Sequence, residues 1–330
     1  LQADPLGPLE KAVQGDAFFT APNPPFGAVF TYHLAQTLEE RRESRRGRES
    51  ELRELGEPVY YPEWEQLRAE DREREPRVEL VVTDRDDRIV RRLAGPVEAG
   101  FHRVAWDLRY APMKPVISLD EKDRAPWDQP AVGPMAAPGE YSVRLVKIVD
   151  GKLSEMGESR SFEAQPLAIA SLGAEDRLEL LEFQQGVAAL QRAVMGINEL
   201  AEKRSVEIDL LYKALVFGSE GSAEQLERLE ELRSSLIDLR GALQGDQTIS
   251  KRSEPTLPGI VSRVERVVGG FWSSSAPTST HRRSFEVASQ QFDQLYGKFR
   301  QFEADFEQLQ ADVDASGVPW TPGRGLPDWR

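Results

Sequence analysis

Three histidines and a hydroxyl-rich run are the side chains of this sequence best suited to catalysis or metal binding. His33 and His102 fall in predicted strands, whereas His281 precedes the last predicted helix, so the spacing does not indicate a shared zinc site. Serines and threonines at 273–280 precede His281 in the sequence. An imidazole next to a hydroxyl can act as a base and activate that hydroxyl as a nucleophile. The sequence instead favours the interpretation that Thr278, Ser279 or Thr280 caps the last predicted helix.

Acidic and aromatic residues at predicted strand ends allow two further kinds of site. Asp84, Asp86 and Asp87 could supply oxygen ligands to calcium, but a turn between two strands uses Asp for its own backbone hydrogen bonds, and we favour the turn. Trp106 beside Asp107 could stack on a sugar ring. Side chains alternate along a strand, so only one of the two points outward, which favours Trp106 as a core residue. Paired carboxylates for glycoside cleavage stay open, because a sequence does not give their separation.

The composition excludes several classes of function. The chain of 330 residues has no cysteine, so disulfides, thiolate zinc sites and a cysteine nucleophile are ruled out. Its net charge of −14 repels phosphate backbones, and no nucleic-acid partner is predicted. No apolar run reaches the roughly 20 residues of a membrane span, so membrane insertion is not predicted. Walker, dinucleotide-binding and G-x-S-x-G motifs do not occur, and we predict neither enzymatic activity nor a cofactor.

Short runs with a period of two predict strands throughout residues 26–165. Turn residues separate them without helical crossovers, which favours an antiparallel immunoglobulin-like β-sandwich within an α+β multidomain chain. Phe101 or Val104, together with Trp106, are the core candidates of the fourth strand. The predicted strands are 28–34, 78–82, 89–93, 101–108, 141–147, 152–156 and 161–164.

A charged helical insertion at about 36–75 interrupts these strands. Residues 36–56 mix Arg and Glu with almost nothing apolar, which predicts a solvated helix. A second short helix at 62–68 places Trp64 and Leu67 on one face, and we expect both side chains to lie on the sandwich.

Proline-rich segments predict irregular structure in three places. Residues 1–25 are interpreted as a linker from an upstream domain, since the chain opens at a leucine without a signal pattern, as an internal fragment or processed product would. Residues 111–138, around Trp127, are interpreted as a crossover loop. The tail at 317–330 contains two tryptophans and is expected to be pinned against the helices before it.

Residues 166–330 predict an elongated antiparallel helical bundle. Apolar positions advance alternately by three and four along each long helix, as in a coiled-coil seam. Thr256 is the predicted cap of a short third helix. The last helix carries a phenylalanine stripe that needs a broad apolar partner, in the same chain or another. The predicted helices are 174–217, 222–243, about 256–268 and 284–315.

Three stretches resemble the C-terminal region that follows the β-propeller in large bacterial proteins with sortilin-type, sialidase-like (BNR) repeats. They are residues 22–32, the segment 90–93 with 100–109, and the tail 319–329. Together with residues 137–141, the middle stretch also resembles the immunoglobulin-like domain of flagellar hook-capping proteins.

The resemblance implies a fold and an exported, extracytoplasmic origin, and no catalytic residue. Proteins of the propeller group are often labelled glycosyl hydrolases, but that label attaches to the propeller, and the Ser-x-Asp-x-Gly-x-x-Trp box is not present in this sequence. Leu108 replaces the glycine that usually follows Trp-Asp in the hook-capping domain, so no hook function is carried over.

The sequence therefore predicts a non-catalytic interaction or assembly module. Its partner would be the upstream propeller, another protein chain or a second copy in a homo-oligomer. A carbohydrate-binding accessory domain, with tryptophans such as Trp106 stacking on glycan, is the alternative. The candidate interaction residues are Trp64, Trp127, Phe292, Phe299, Phe302, Phe306, Trp320 and Trp329.

Overall fold

The computed structural model describes residues 24–116, 131–166, 174–273 and 275–327. It is an α+β structure with antiparallel sheets and a long helical region. The chain divides into two compact units, one holding the described strands and the other the long helices from Glu175 onward.

Seven strands form two antiparallel sheets in the described part of the first unit, at the places that the period of two predicts. Strands β1 and β4 form the smaller sheet, and the larger has the order β3-β2-β5-β6, with β7 also paired to β5. Asp150 and Gly151 form the tight β5–β6 turn, and both have the positive φ that such a turn requires. The strands are β1 (Ala28–Leu34), β2 (Arg77–Asp84), β3 (Ile89–Gly95), β4 (Gly100–Trp106), β5 (Gly139–Val149), β6 (Lys152–Glu155) and β7 (Arg160–Ala164).

Aromatic side chains from both sheets share one apolar core. Trp106 of β4 is fully buried, and its ring centroid lies 5.2 Å from that of Tyr141 and 6.0 Å from that of Phe162. Its indole N–H donates to the carbonyl of Arg109 at 2.9 Å. The prediction of Trp106 as a core residue is confirmed, whereas the candidacy of Phe101 is wrong, because that side chain is 80% exposed.

Two helices, α1 (Arg41–Glu54) and α2 (Trp64–Arg72), form the insertion between β1 and β2. Neither helix contains a buried residue, which agrees with the prediction of a solvated α1. The expectation that Trp64 lies on the sheets is wrong, since its side chain is 68% exposed, while Leu67 is half-buried.

The second unit is a bundle in which consecutive long helices run antiparallel. Arg240 of α4 meets Glu202 of α3 at 2.8 Å, and Arg228 of α4 meets Asp312 of α7 at 2.6 Å. Because α3 and α7 both run opposite to α4, they are parallel to each other. The helices are α3 (Ala174–Phe217), α4 (Ala223–Gln244), α5 (Gln247–Ser250), α6 (Ile260–Val268) and α7 (Ser279–Ala315).

Side-chain caps start α4, α5 and α7, whereas α1, α2 and α6 begin without one. Ser222 and Gln225 form a reciprocal capping box at the start of α4. Thr278 accepts the backbone N–H of His281 and caps α7, which confirms the capping interpretation of that run. The prediction of Thr256 as a cap is wrong, because α6 begins at Ile260 behind Gly259, which has no side chain to offer.

The tail packs on the bundle as far as Arg324, which agrees with the expectation for that part, whereas Leu326 is fully exposed. Val318 joins the apolar core, and the guanidinium of Arg324 is 2% exposed while it pairs with the carboxylate of Asp314. A Cβ at Gly323 would come within 2.4 Å of the Glu207 carboxylate, so only glycine allows the tail to cross α3 this closely.

Within the ranges that the structure describes, no helix combines the length and the apolar character needed to cross a lipid bilayer.

Candidate functional site

Helices α1 and α2 are held together by ion pairs rather than by an apolar interface. The Arg45 guanidinium donates to both carboxylate oxygens of Glu70, at 2.6 and 2.9 Å, and to Glu49 at 2.6 Å. These bonds hold the pKa of Glu70 and of Glu49 below the ordinary carboxyl value and raise the pKa of Arg45. A bidentate arginine–carboxylate pair fixes orientation as well as distance, so the two helices form a defined hairpin.

The base of this hairpin is tied to the sheets of the same unit. The backbone N–H of Arg41 donates to the Glu73 carboxylate at 2.7 Å, and the Arg41 side chain pairs with Asp150 in the β5–β6 turn. Leu38, just before α1, donates its N–H to the carbonyl of Val97 at 2.9 Å. The hairpin therefore projects from a fixed base.

The connection between α1 and α2 exposes four large apolar side chains, which we call the aromatic tip. They are Leu55, Tyr60, Tyr61 and Trp64, with exposed fractions of 73, 83, 75 and 68%. The rings of Tyr61 and Trp64 meet edge to face with centroids 5.8 Å apart. An exposed cluster of this kind is uncommon on a monomer and marks a surface for association.

Local sequence explains why these side chains are not buried. Gly56 takes φ 71° and ends α1, with the N–H of the next residue bonded back to the carbonyl of Leu52. Pro58 and Pro62 then favour an extended connection that cannot fold back on the helices. Trp64 is the first residue of α2 and lies at the open end of the hairpin. The contact between α2 and α1 is made further along α2, by Glu70.

The tip has an acidic rim. Residues 54–65 contain four glutamates and no lysine or arginine. Glu65 pairs with Arg68 at 3.2 Å, whereas Glu54, Glu57 and Glu63 make no ion pair with any residue in the described ranges. The rim thus offers three carboxylates to an external cation.

The other candidate interaction residues lie in different surroundings. Trp320 is 48% exposed in the second unit, and its indole N–H donates to the carbonyl of Gly325 at 2.7 Å. Trp127 and Trp329 lie outside the described residues. The phenylalanine stripe is 7% exposed or less and packs inside its own bundle: Phe292, Phe299, Phe302 and Phe306.

The polar candidates do not converge on one site. The Asp84 carboxylate accepts the N–H groups of Asp86 and Arg88 at 2.9 and 3.0 Å, which confirms the turn interpretation. His33 stacks on Phe101 with ring centroids 4.6 Å apart. In the part of the chain that the structure describes, no group of three or more His, Asp or Glu side chains is placed to hold a metal ion.

Tyr60, Tyr61 and Leu55 were not among the residues that the sequence singles out. A sequence signal for them exists, since two prolines four positions apart bracket adjacent tyrosines between charged helices. The exposure of such residues depends on how the two helices meet, which only the structure supplies.

Comparisons with protein-family models, with curated proteins and with solved structures found no match for this chain.

Proposed function

We propose that this chain is a non-catalytic protein-interaction module, and that its aromatic tip docks into an apolar pocket with a basic rim on a partner protein. The observation that carries this proposal is the aromatic tip itself, in which Tyr60, Tyr61 and Trp64 are each at least 68% exposed on a hairpin fixed by ion pairs. The two packed sheets of the first unit serve as its scaffold, which we propose to be an immunoglobulin-like sandwich.

The side chains of the tip suit an interface centre. Tyrosine and tryptophan dominate the binding energy of protein interfaces, because they bury a large area at a small cost in conformational entropy. The Arg45–Glu70 pair reduces the ordering cost further, since the hairpin is already arranged before binding.

The acidic rim indicates the chemistry of the partner. The carboxylates of Glu54, Glu57 and Glu63 would be left unpaired beside the contact unless lysine or arginine side chains met them. The same charges disfavour anionic lipid surfaces. The resemblance in residues 22–32 and 319–329 supports an exported protein and makes its upstream β-propeller the first partner to test.

A carbohydrate-binding function is the second candidate. The exposed, edge-to-face rings of Tyr61 and Trp64 stand next to Glu63 and Glu65, and aromatic faces with adjacent acceptors suit sugar rings. Trp106 contributes nothing to this alternative, since its indole is fully buried.

The deciding experiment compares Y61A/W64A with F101A, which removes an equally exposed aromatic ring from the same unit. Binding to the upstream propeller is measured by interferometry, and the same variants are screened on a glycan array and on neutral vesicles. We expect Y61A/W64A to weaken propeller binding about a hundredfold, whereas F101A changes it by less than about threefold.

Four results would count against the proposal. Equal propeller binding by Y61A/W64A and the unmodified chain would remove the tip from the interface. Glycan binding that Y61A/W64A abolishes, without propeller binding, would establish the carbohydrate alternative. Vesicle binding that depends on the tip would make it a membrane contact, and binding to none of the three would reject the propeller as partner.

A further inference from the structure

A groove of about 1140 Å³ runs along the second unit between α4 and α7, and the segment 245–259 closes one end of it. We propose that this groove binds a basic amphipathic helix of a partner protein, which lies along α4 and α7 as an additional helix of the bundle. This site is independent of the aromatic tip.

The spacing of the lining residues carries the first part of the argument. On α4 the groove is lined at positions 228, 231, 235, 238 and 242, and on α7 at positions 291, 294, 298, 301 and 305. Both sets advance by alternating threes and fours, which is the repeat that keeps one helix in register with another. Each helix thus presents a second seam beside the one buried in its own core. The five positions on each helix span about 21 Å, which is about four turns of an occupant helix.

The floor and the end wall of the groove are apolar. Leu232, Leu239 and Phe302 form part of the floor and are themselves buried in the core. At the closed end, Ile249 and Leu257 are 39 and 82% exposed. An occupant helix would therefore place its largest apolar side chains at this end.

The end wall is a formed structure. Gly245 takes φ 86° after α4, and a Cβ at Gly259 would come within 2.4 Å of the Gly245 nitrogen. This backbone contact closes the segment 245–259 at its base, and Asp246 caps α5 by accepting the N–H groups of Thr248 and Ile249. The contacts that form the end wall all lie within this chain, so the wall does not require a bound ligand.

The charges that line the groove select the occupant. Arg228 is already paired with Asp312 at 2.6 Å, so its charge is satisfied within the bundle. The remaining charged residues that line the groove are one cation, Lys298, and four carboxylates: Glu231, Asp238, Asp246 and Asp305. Lysine and arginine on the flanks of an apolar stripe complement this lining, whereas a second copy of this chain, with its net charge of −14, is disfavoured.

Small side chains on α4 allow a helix to come close. Ser235 and Ala242 are exposed on the groove side, next to Gly241. The opposite wall offers Gln291, Gln294 and Gln301, whose amides can donate to and accept from a polar flank.

The test uses a fluorescent helical peptide of about 21 residues, with isoleucine and leucine at heptad spacing and lysine on both flanks, and a twin in which glutamate replaces every lysine. Anisotropy titrations on the full chain are expected to show micromolar binding of the basic peptide. The acidic twin should bind at least about thirtyfold more weakly, and raising the salt concentration should weaken the basic peptide about tenfold.

Two matched pairs of variants locate the site. S235W fills the groove, whereas S234W places the same ring on the adjacent exposed position outside it. D238R reverses a lining charge, and E227R reverses an exposed charge on the same helix that does not line the groove. We expect S235W and D238R to lose about tenfold or more in affinity, while S234W and E227R stay within about twofold.

Equal loss in both members of either pair, or equal binding of the acidic twin, would overturn the proposal. A change in the oligomeric state of S235W alone would show that a second copy occupies the groove, and would also overturn it. The Y61A/W64A variant should bind the peptide normally, so failure at the tip and failure at the groove are separate results.

Discussion

Arg204 shows how a charged residue occupies a seam position in the bundle. Its guanidinium donates to both oxygens of Glu303, at 2.9 and 2.7 Å, and to Glu207 at 2.5 Å, and it lies over the ring of Phe306 at 5.4 Å. The hydrogen bond that Arg204 donates to Glu303 contributes most to the raised pKa of Arg204. The pair joins α3 to α7 while the aliphatic part of the arginine fills the seam.

Removal of this guanidinium should destabilise the bundle. Glu207 is only 5% exposed, so R204A leaves a buried carboxylate without its main partner, at a cost of about 3 kcal/mol in the free energy of unfolding. The double variant R204M/E207Q removes both charges and should recover more than half of that loss. Urea unfolding followed by circular dichroism at 222 nm measures these changes.

The control for this prediction is R300A, which removes an exposed arginine on α7 that makes no ion pair with a described residue. It should change the free energy of unfolding by less than about 0.5 kcal/mol. A loss in R204A no larger than that in R300A would contradict the argument.

For single residues, the sequence predicts which face of a helix or strand a side chain occupies better than it predicts which distant residue that side chain contacts. The alternation of threes and fours places Arg204 on the seam of α3, and strand alternation favours Trp106 as a core residue. The partner of Arg204, Glu303, lies 99 residues away, and no local pattern indicates which of the many glutamates it is. The exposure of Tyr60 and Tyr61 depends in the same way on contacts between distant residues.

Among the elements, the α1–α2 hairpin depends most directly on ionised groups. Arg45 lowers the pKa of Glu70 and of Glu49, and neither helix contains a fully buried residue. A carboxylate whose pKa is depressed in the folded state stabilises that state above its unfolded pKa, and this stabilisation is lost as pH falls through the folded pKa. The hairpin should therefore hold at neutral pH and open in acid.

We expect the hairpin to open as the pH falls below about 4, the ordinary range of a glutamate carboxyl. The cysteine-free chain permits spin labels at S50C and Q66C, two exposed positions on α1 and α2. The distribution of distances between the labels should be narrow at pH 7 and broaden below that range. The near-ultraviolet circular dichroism of the core separates this opening from global unfolding.

Two arginine variants control the acid experiment. R45Q should give a broad distribution already at pH 7, because both carboxylates lose their main partner. R48Q should leave it narrow, since among the described residues the side chain of Arg48 bonds only to the carbonyl of Ser44, in its own helix. A narrow distribution for R45Q at pH 7 would show that other contacts hold the hairpin.

Element positions follow from local patterns, and element orientation does not. All the predicted strands are found, and α1 and α2 lie close to their predicted places. The prediction for Trp64 on α2 is wrong, because its side chain is exposed and Glu70 makes the ion pair with α1 instead. Leu108 takes φ 57°, a conformation that glycine adopts readily and leucine rarely, and the period of two in the sequence does not indicate it.

For the whole molecule, the packing of the phenylalanine stripe of α7 determines whether the bundle needs a second chain to cover an apolar surface. The sequence leaves open whether this stripe packs in the same chain or between chains. Its members join one core with the leucines of α4 and the apolar seam of α3, and none is more than 7% exposed. A coiled-coil seam that is filled within one chain provides no drive for self-association.

We therefore expect the purified chain to be a monomer of 37.1 kDa at micromolar concentration, by multi-angle light scattering in moderate salt. Its net charge of −14 adds mutual repulsion between copies, so a lower salt concentration should not produce a dimer. F299A and F302A should lower the free energy of unfolding by about 3–5 kcal/mol each, since each leaves a cavity in the core, and they should leave the folded chain monomeric. A dimer that either substitution dissociates, with little loss of stability, would place the stripe at an interface between chains.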